Sequence, residues 1–168
     1  DTSGALVALR RLGPVDDSTR IAAMGGVEWL LDIQNRDGGF PTFCRGWGKL
    51  PFDRSCPDIT VHALMALDVW YDDATPLLRQ RIDSAMQNGM NFLSNTQAED
   101  GSWSPLWFGN QLVAGSRNPT FGTAQVGRIL RTNTPERLPR PGVLVEDGCA
   151  RLLEMQNKDG GWGGDAAA

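Results

Sequence analysis

One side chain in these 168 residues has an ordinary pKa near neutrality: His62, the only histidine. It closes the segment Asp58-Ile-Thr-Val-His62 on an apolar helical run. A lone His there is either a satisfied core residue or an acid–base group. Asp1, at the head of Asp1-Thr-Ser-Gly-Ala-Leu6, is either a helix N-cap or a working carboxylate. Cys44, Cys56 and Cys149 are odd in number and follow no metal-ligand spacing. With one His in the chain, no zinc site is expected, and three free thiols suit a reducing compartment. Cys44 and Cys149 have no base beside them in the sequence. Arg45, Lys49 and Arg54 either pair with carboxylates or bound an entrance. Asp72-Asp73 reads as a solvated helix end. There is no P-loop, no dinucleotide-binding glycine pattern after a strand and no nucleophile elbow.

The elements that hold these residues are set out by a loop that occurs three times. Its copies are Gln34-Asn-Arg-Asp-Gly-Gly-Phe40, Gln97-Ala-Glu-Asp-Gly-Ser-Trp103 and Gln156-Asn-Lys-Asp-Gly-Gly-Trp162, 63 and 59 residues apart. A period of that size marks a repeat architecture. Each copy follows an apolar helical run, and Asp-Gly supplies the left-handed turn that ends a helix. The Gln amide is expected to bond the free carbonyls of the helix it ends, and the aromatic to fold back over that end. These loops read as structural, not catalytic.

Six helices are predicted, over about 1–12, 16–33, 57–70, 76–95, 120–131 and 142–155. The second helix opens Asp16-Asp-Ser-Thr, and Thr75 is a candidate cap, with Pro76 in a first turn. Gly25-Gly26 weakens the second helix locally. No strand-like alternation is found, so the fold class is all-α. The odd-numbered helices are short and rich in Ala and Gly, as inner helices must be. The even-numbered ones are predicted to be longer and more polar on one side. Repeats therefore run over about 1–56, 57–118 and 119–168. The stretches 41–55 and 104–119 are expected to be structured loops.

A net charge of −4 with scattered basic residues excludes nucleic acid as an expected partner. No apolar run approaches the ~18 residues of a membrane span.

The recurring loop resembles the QW motif of the triterpene cyclases, the squalene–hopene and oxidosqualene cyclases. Asp1-Thr-Ser-Gly-Ala-Leu6 looks like the end of the Asp-x-Asp-Asp-Thr-Ala motif of squalene–hopene cyclases, with Ser3 for the usual Ala. The proton-donating Asp would then lie just before Asp1. Asp58-Ile-Thr-Val-His62 resembles the family's Asp-Val-Thr-Ala-His, whose His hydrogen-bonds that acid. An imidazolium there stabilises the conjugate base and makes the Asp a better donor to an alkene. Phe43 stands where the family commonly has a cavity Tyr. Trp107 resembles the Trp of its Gly-Arg-Trp-Gly, with Leu106 for Arg, and Phe121-Gly-Thr123 resembles its Tyr-Gly-Thr. Residues 112–119 look like an insertion between the two. The resemblance thus implies Asp1 and His62 as catalytic residues and Phe43, Trp107 and Phe121 as substrate-binding, the aromatics offering π faces to carbocations. Ordinary packing is the alternative for all three.

The resemblance further implies about three helix pairs of a six-hairpin α/α barrel, cut from a longer chain. It implies a squalene-like polyisoprenoid substrate, no metal or organic cofactor, and a bacterial, peripheral membrane parent on the cytoplasmic side. The open face of a half barrel predicts that the chain alone is inactive, marginal or self-associating, and completed by the rest of the parent or a second copy. A non-catalytic repeat protein that binds an isoprenoid or a partner is the alternative. The zinc-dependent prenyltransferase barrel is a second, though its ligand set is not recognisable here.

Overall fold

Capping and proline placement explain where the helices begin. The Asp16 carboxylate accepts the Thr19 amide at 2.7 Å and opens α2 (Asp17–Ile33). Thr75 accepts the Leu78 amide and opens α4 (Pro76–Thr96), with Pro76 in the first turn. Pro57 likewise begins α3 (Pro57–Val69). The remaining helices are α1 (Thr2–Arg11), α5 (Pro119–Thr132) and α6 (Gly142–Glu154). The computed structural model describes residues 1–45, 50, 53–109, 115, 117–132 and 142–163. Among them there is no strand, only an isolated bridge between Pro41 and Ser55 at the base of a loop. Lys49 and the connector 133–141 lie outside the described residues, as does half of the 112–119 stretch.

The chain forms two layers of an all-α toroid. Helices α1, α3 and α5 pack side by side, with α2 behind α1, α4 behind α3 and α6 behind α5. The central helix α3 buries Val61, Ala63, Leu64, Ala66 and Leu67, as a helix covered on most sides must. The predicted difference in length holds for the first two pairs, with α2 at 17 and α4 at 21 residues. It fails for the third, where α6 has 13 residues against 14 in α5. Gly25-Gly26 does not interrupt α2; a Cβ on Gly26 would lie 3.0 Å from the Leu6 side chain, so this glycine lets α1 seat closely.

The recurring loop is the fastener between repeats. Gly38, Gly101 and Gly160 all have positive φ, at 89°, 82° and 90°. The indoles of Trp103 and Trp162 fold back and donate to Leu93 O and Leu152 O, ten residues upstream. The glutamine does something else than expected. Gln34 donates to Gly38 O inside the loop and to Ala85 O of α4; Gln97 donates to Gly101 O and to Leu144 O of α6. It ties the end of one outer helix to the next, at the middle of α4 in the first copy and at the first turn of α6 in the second. The aromatic's own amide reaches inward: Phe40 N–H donates to Thr60 Oγ1 on α3, and Trp103 N–H to Thr123 Oγ1 on α5. One loop thus pins both the next outer and the next inner helix. The third copy keeps the Gln156–Gly160 bond, and its Trp162 is 46% exposed.

Asp73, expected at a solvated end, is instead an anchor with 12% of its side chain exposed. Its carboxylate accepts from Arg20 at 2.8 Å and from Arg10 at 2.9 Å. Arg10 also lies over the Trp70 ring, whose indole donates to Leu6 O. The hydrogen bond from Arg20 holds the Asp73 pKa below its ordinary 3.8, against the opposing pull of burial. A depressed carboxylate pKa stabilises the fold above 3.8, and that contribution disappears as pH falls through the group's own lower pKa. Asp73→Asn should therefore lower stability at neutral pH and flatten the acid limb of a plot of denaturation midpoint against pH.

Candidate active site

The amino-terminal ends of α1 and α3 lie side by side. Asp1, Thr2 and Ser3 share an apolar cleft with Ile59 and Ala63 of α3 and with Phe43. Its volume is about 170 Å³. Ligand pockets usually measure roughly 300–1,000 Å³, so this cleft is the size of one portion of a substrate cavity. Asp1 is the N-cap of α1, yet its side chain makes no capping hydrogen bond, so its carboxylate is not spent on ending the helix. Phe43 is exposed on the loop that the Pro41–Ser55 bridge closes. The Phe40 ring forms the floor and is fully buried.

His62 is half-buried on α3, next to the lining residue Ala63. Its Nδ1 lies 2.7 Å from Asp58 O. A carbonyl only accepts, so Nδ1 carries the proton and Nε2 is the nitrogen left to gain or give one. His62 is not itself a wall of the cleft. The neighbouring carboxylate of Asp58 is buried, and the Cys56 thiol donates to it at 2.7 Å. The same sulfur accepts the Leu106 amide at 3.0 Å. Burial, reinforced by the negative charge and hydrogen bond of Asp58, pushes the Cys56 pKa up to about 12. Cys56 is therefore a neutral donor at physiological pH and a poor nucleophile. All three cysteines are free thiols.

Trp107 comes to the cleft from the second loop. Its indole donates to Thr42 Oγ1 at 2.6 Å, and Thr42 lines the cleft beside Phe43. Phe121 stands farther away, in the first turn of α5, where its ring meets that of Phe108 at 5.1 Å between centroids and 46° between planes. The structure thus brings Asp1 and Phe43 into one cleft, attaches Trp107 through Thr42, leaves His62 beside the cleft and places Phe121 away from it, against Phe108.

Sequence reasoning missed Cys56 and Phe108. Metal spacing is the one local test a cysteine at position 56 offers; its partner Leu106 is 50 residues away, and nothing nearby in the chain signals that approach. Phe108 had a signal. It follows Trp107 where the family's Gly-Arg-Trp-Gly ends in Gly, and it has a φ of 62°, which glycine accepts at no cost. Among the described residues no three His, Cys, Asp or Glu side chains lie close enough to share a metal ion, and no helix is long and apolar enough to cross a membrane.

Known proteins resemble the chain along its length. The family model for the squalene–hopene cyclase C-terminal domain matches residues 1–168. Drimenyl diphosphate synthase of Streptantibioticus cattleyicolor is 32% identical over 99% of this chain and 28% of its own length. Enfumafungin synthase of Hormonema carpetanum is 30% identical over 97% of the chain and 13% of its own. Lanosterol synthase of Pneumocystis carinii is 27% identical over 81% and 20%. The chain therefore spans less than a third of these relatives. They include bacterial and eukaryotic members, a wider range than the bacterial source expected from sequence. Matched along its whole length, with its helix pairs and recurring loops in place, the chain belongs to the squalene–hopene cyclase family, as part of the C-terminal domain.

Proposed function

We propose that the complete protein protonates a terminal alkene of a polyisoprene and steers the resulting carbocation through successive ring closures. The observation that carries this is the apolar cleft lined by both Asp1 and Phe43, beside the helix that bears His62. Asp1 closes the acidic motif from which the proton comes. His62, its Nδ1 committed to Asp58 O, offers Nε2 to that acidic cluster; as an imidazolium it lowers the donor's pKa. Phe43, Trp107 and Phe121 line the path of the cation. Their faces attract positive charge by about 0.5–2 kcal/mol each without supplying a base that would quench it. The remaining helix pairs come from the rest of the parent chain, or from a second copy, and the parent meets its lipid-dissolved substrate at a membrane surface. Two of the relatives are drimenyl diphosphate synthases, so a prenyl diphosphate is the shorter substrate to try beside squalene.

The test is to incubate the complete protein in deuterated water with squalene and, separately, with farnesyl diphosphate. Cyclised hydrocarbon or cyclised diphosphate carrying one deuterium on the ring methylene next to the gem-dimethyl carbon, the former alkene CH, is expected. No cyclised product from either, or product without deuterium at that methylene, overturns the reading.

A further inference from the structure

Phe108 is the one non-glycine residue with positive φ among the described residues. A bulky side chain in that region is strained, and strain persists only where surrounding contacts impose it. Burial does not repay it here, because Phe108 is 69% exposed. What holds it is the Asn118 amide. Asn118 Nδ2 donates to Phe108 O at 2.7 Å, while its Oδ1 accepts the Phe121 amide at 3.2 Å. The second bond is an ordinary N-cap of α5; the first is not needed for capping. One side chain thereby grips the backbones of two residues whose rings are in contact. The preceding residues are held as firmly. Leu106 N–H is bound by Cys56 and the Trp107 indole by Thr42. Three consecutive residues are tied to three different segments, so residues 106–108 are preorganised with the Phe108 ring exposed.

We infer that Phe108, clamped against Phe121 by Asn118, is a specificity-determining residue whose ring faces the carbocation formed late in the cyclisation of a long polyene. This rests on the function proposed above. An exposed aromatic pair with no acid or base among its described contacts attracts a cation and does not deprotonate it. Its place sets the stage of the reaction. Asp1 begins α1, the pair begins α5, and α3 lies between them. Packed helices are about 8–10 Å apart, so the pair stands beyond one such spacing from the initiating end. The positive charge moves away from the protonated carbon with each ring closed. A fifteen-carbon chain closed into two rings keeps its cation near the initiating end, whereas squalene closes further rings and carries the charge toward the pair.

The experiment uses the complete protein with squalene and with farnesyl diphosphate. Phe108→Leu keeps apolar bulk and removes the π face. Phe108→Gly relieves the backbone and so retains the fold even if the leucine does not. With squalene, both variants should lower the ratio of fully to partly cyclised product roughly tenfold, as loss of a cation–π contact in a dry site predicts. Consumption of farnesyl diphosphate should change less than twofold, and the melting temperature should not fall in Phe108→Gly. An unchanged product ratio in Phe108→Leu overturns the inference, since packing alone would then suffice. An equal loss with both substrates overturns it too, by removing the link to polyene length. Failure of the unsubstituted protein to cyclise either probe is read separately, and it removes the functional reading together with this one.

Discussion

Replacing Gly101 by Ala should destabilise the complete protein by about 3–5 kcal/mol, at the upper end for a single substitution. Two costs add. Gly101 has a φ of 82°, where an L side chain is strained by about 1–2 kcal/mol. The new Cβ would also lie 2.6 Å from Asp147 O, a backbone atom of α6 that cannot swing away. The result would be a forced separation of α6 from the fastening loop, with the Gln97 bond to Leu144 O lost. Gly38 is in the same position: a methyl there would sit 2.3 Å from Asn88 O of α4, and its replacement should cost as much. Gly160 has the same backbone, φ 90°, but nothing within 4 Å. In the complete protein, Gly160→Ala is nonetheless expected to match Gly101→Ala, because the proposed remainder of the barrel lays another outer helix there. Denaturant titration of the three variants measures this. A Gly160→Ala cost of only about 1–2 kcal/mol, the strain alone, would mean that no helix seats on the third loop.

The second large effect is on chemistry. His62→Ala should reduce the single-turnover rate of the complete protein with squalene by roughly 10²–10⁴, the span of a lost acid–base contribution. Its fold should survive, since the half-buried ring bonds only a carbonyl within its own helix among the contacts described. Cys56→Ala gives the contrasting pattern. It leaves the buried Asp58 carboxylate without its thiol donor and the Leu106 amide without its acceptor, at a cost of about 1–3 kcal/mol in stability. A rate within tenfold of the parent in His62→Ala would remove His62 from the mechanism, whatever Cys56→Ala shows.

Much of the fold was legible because its signals are local. The caps at Asp16 and Thr75, the prolines that open α3 and α4, and the Asp-Gly turns act over four residues or fewer. They place all six helices within a residue or two. The return of the loop at a fixed period then implies that each pair packs on the next in the same way. The fold-back of Trp103 and Trp162 follows from that local chemistry too. The glutamine's outward partner does not: Ala85 is 51 residues from Gln34, and Leu144 is 47 from Gln97. Nor does the role of Asp73, whose two arginines lie 53 and 63 residues earlier.

The site divides along the same line. An all-α repeat chain, with an Asp at one helix start, a single His on another and aromatic residues in the loops between, can be read directly from the order of the residues. Those features depend on neighbours along the chain, and hydrogen bonds within a turn enforce them. Which of these residues meet is a matter of packing. Packing set Asp1 in one cleft with Phe43, hung Trp107 on Thr42, left His62 beside the cleft with its Nδ1 occupied, and twisted Phe108 against Phe121. Each of those outcomes depends on how closely two packed helices approach and where their loops are pinned. That distance is settled by the whole interlocking core, and no short stretch of residues contains it.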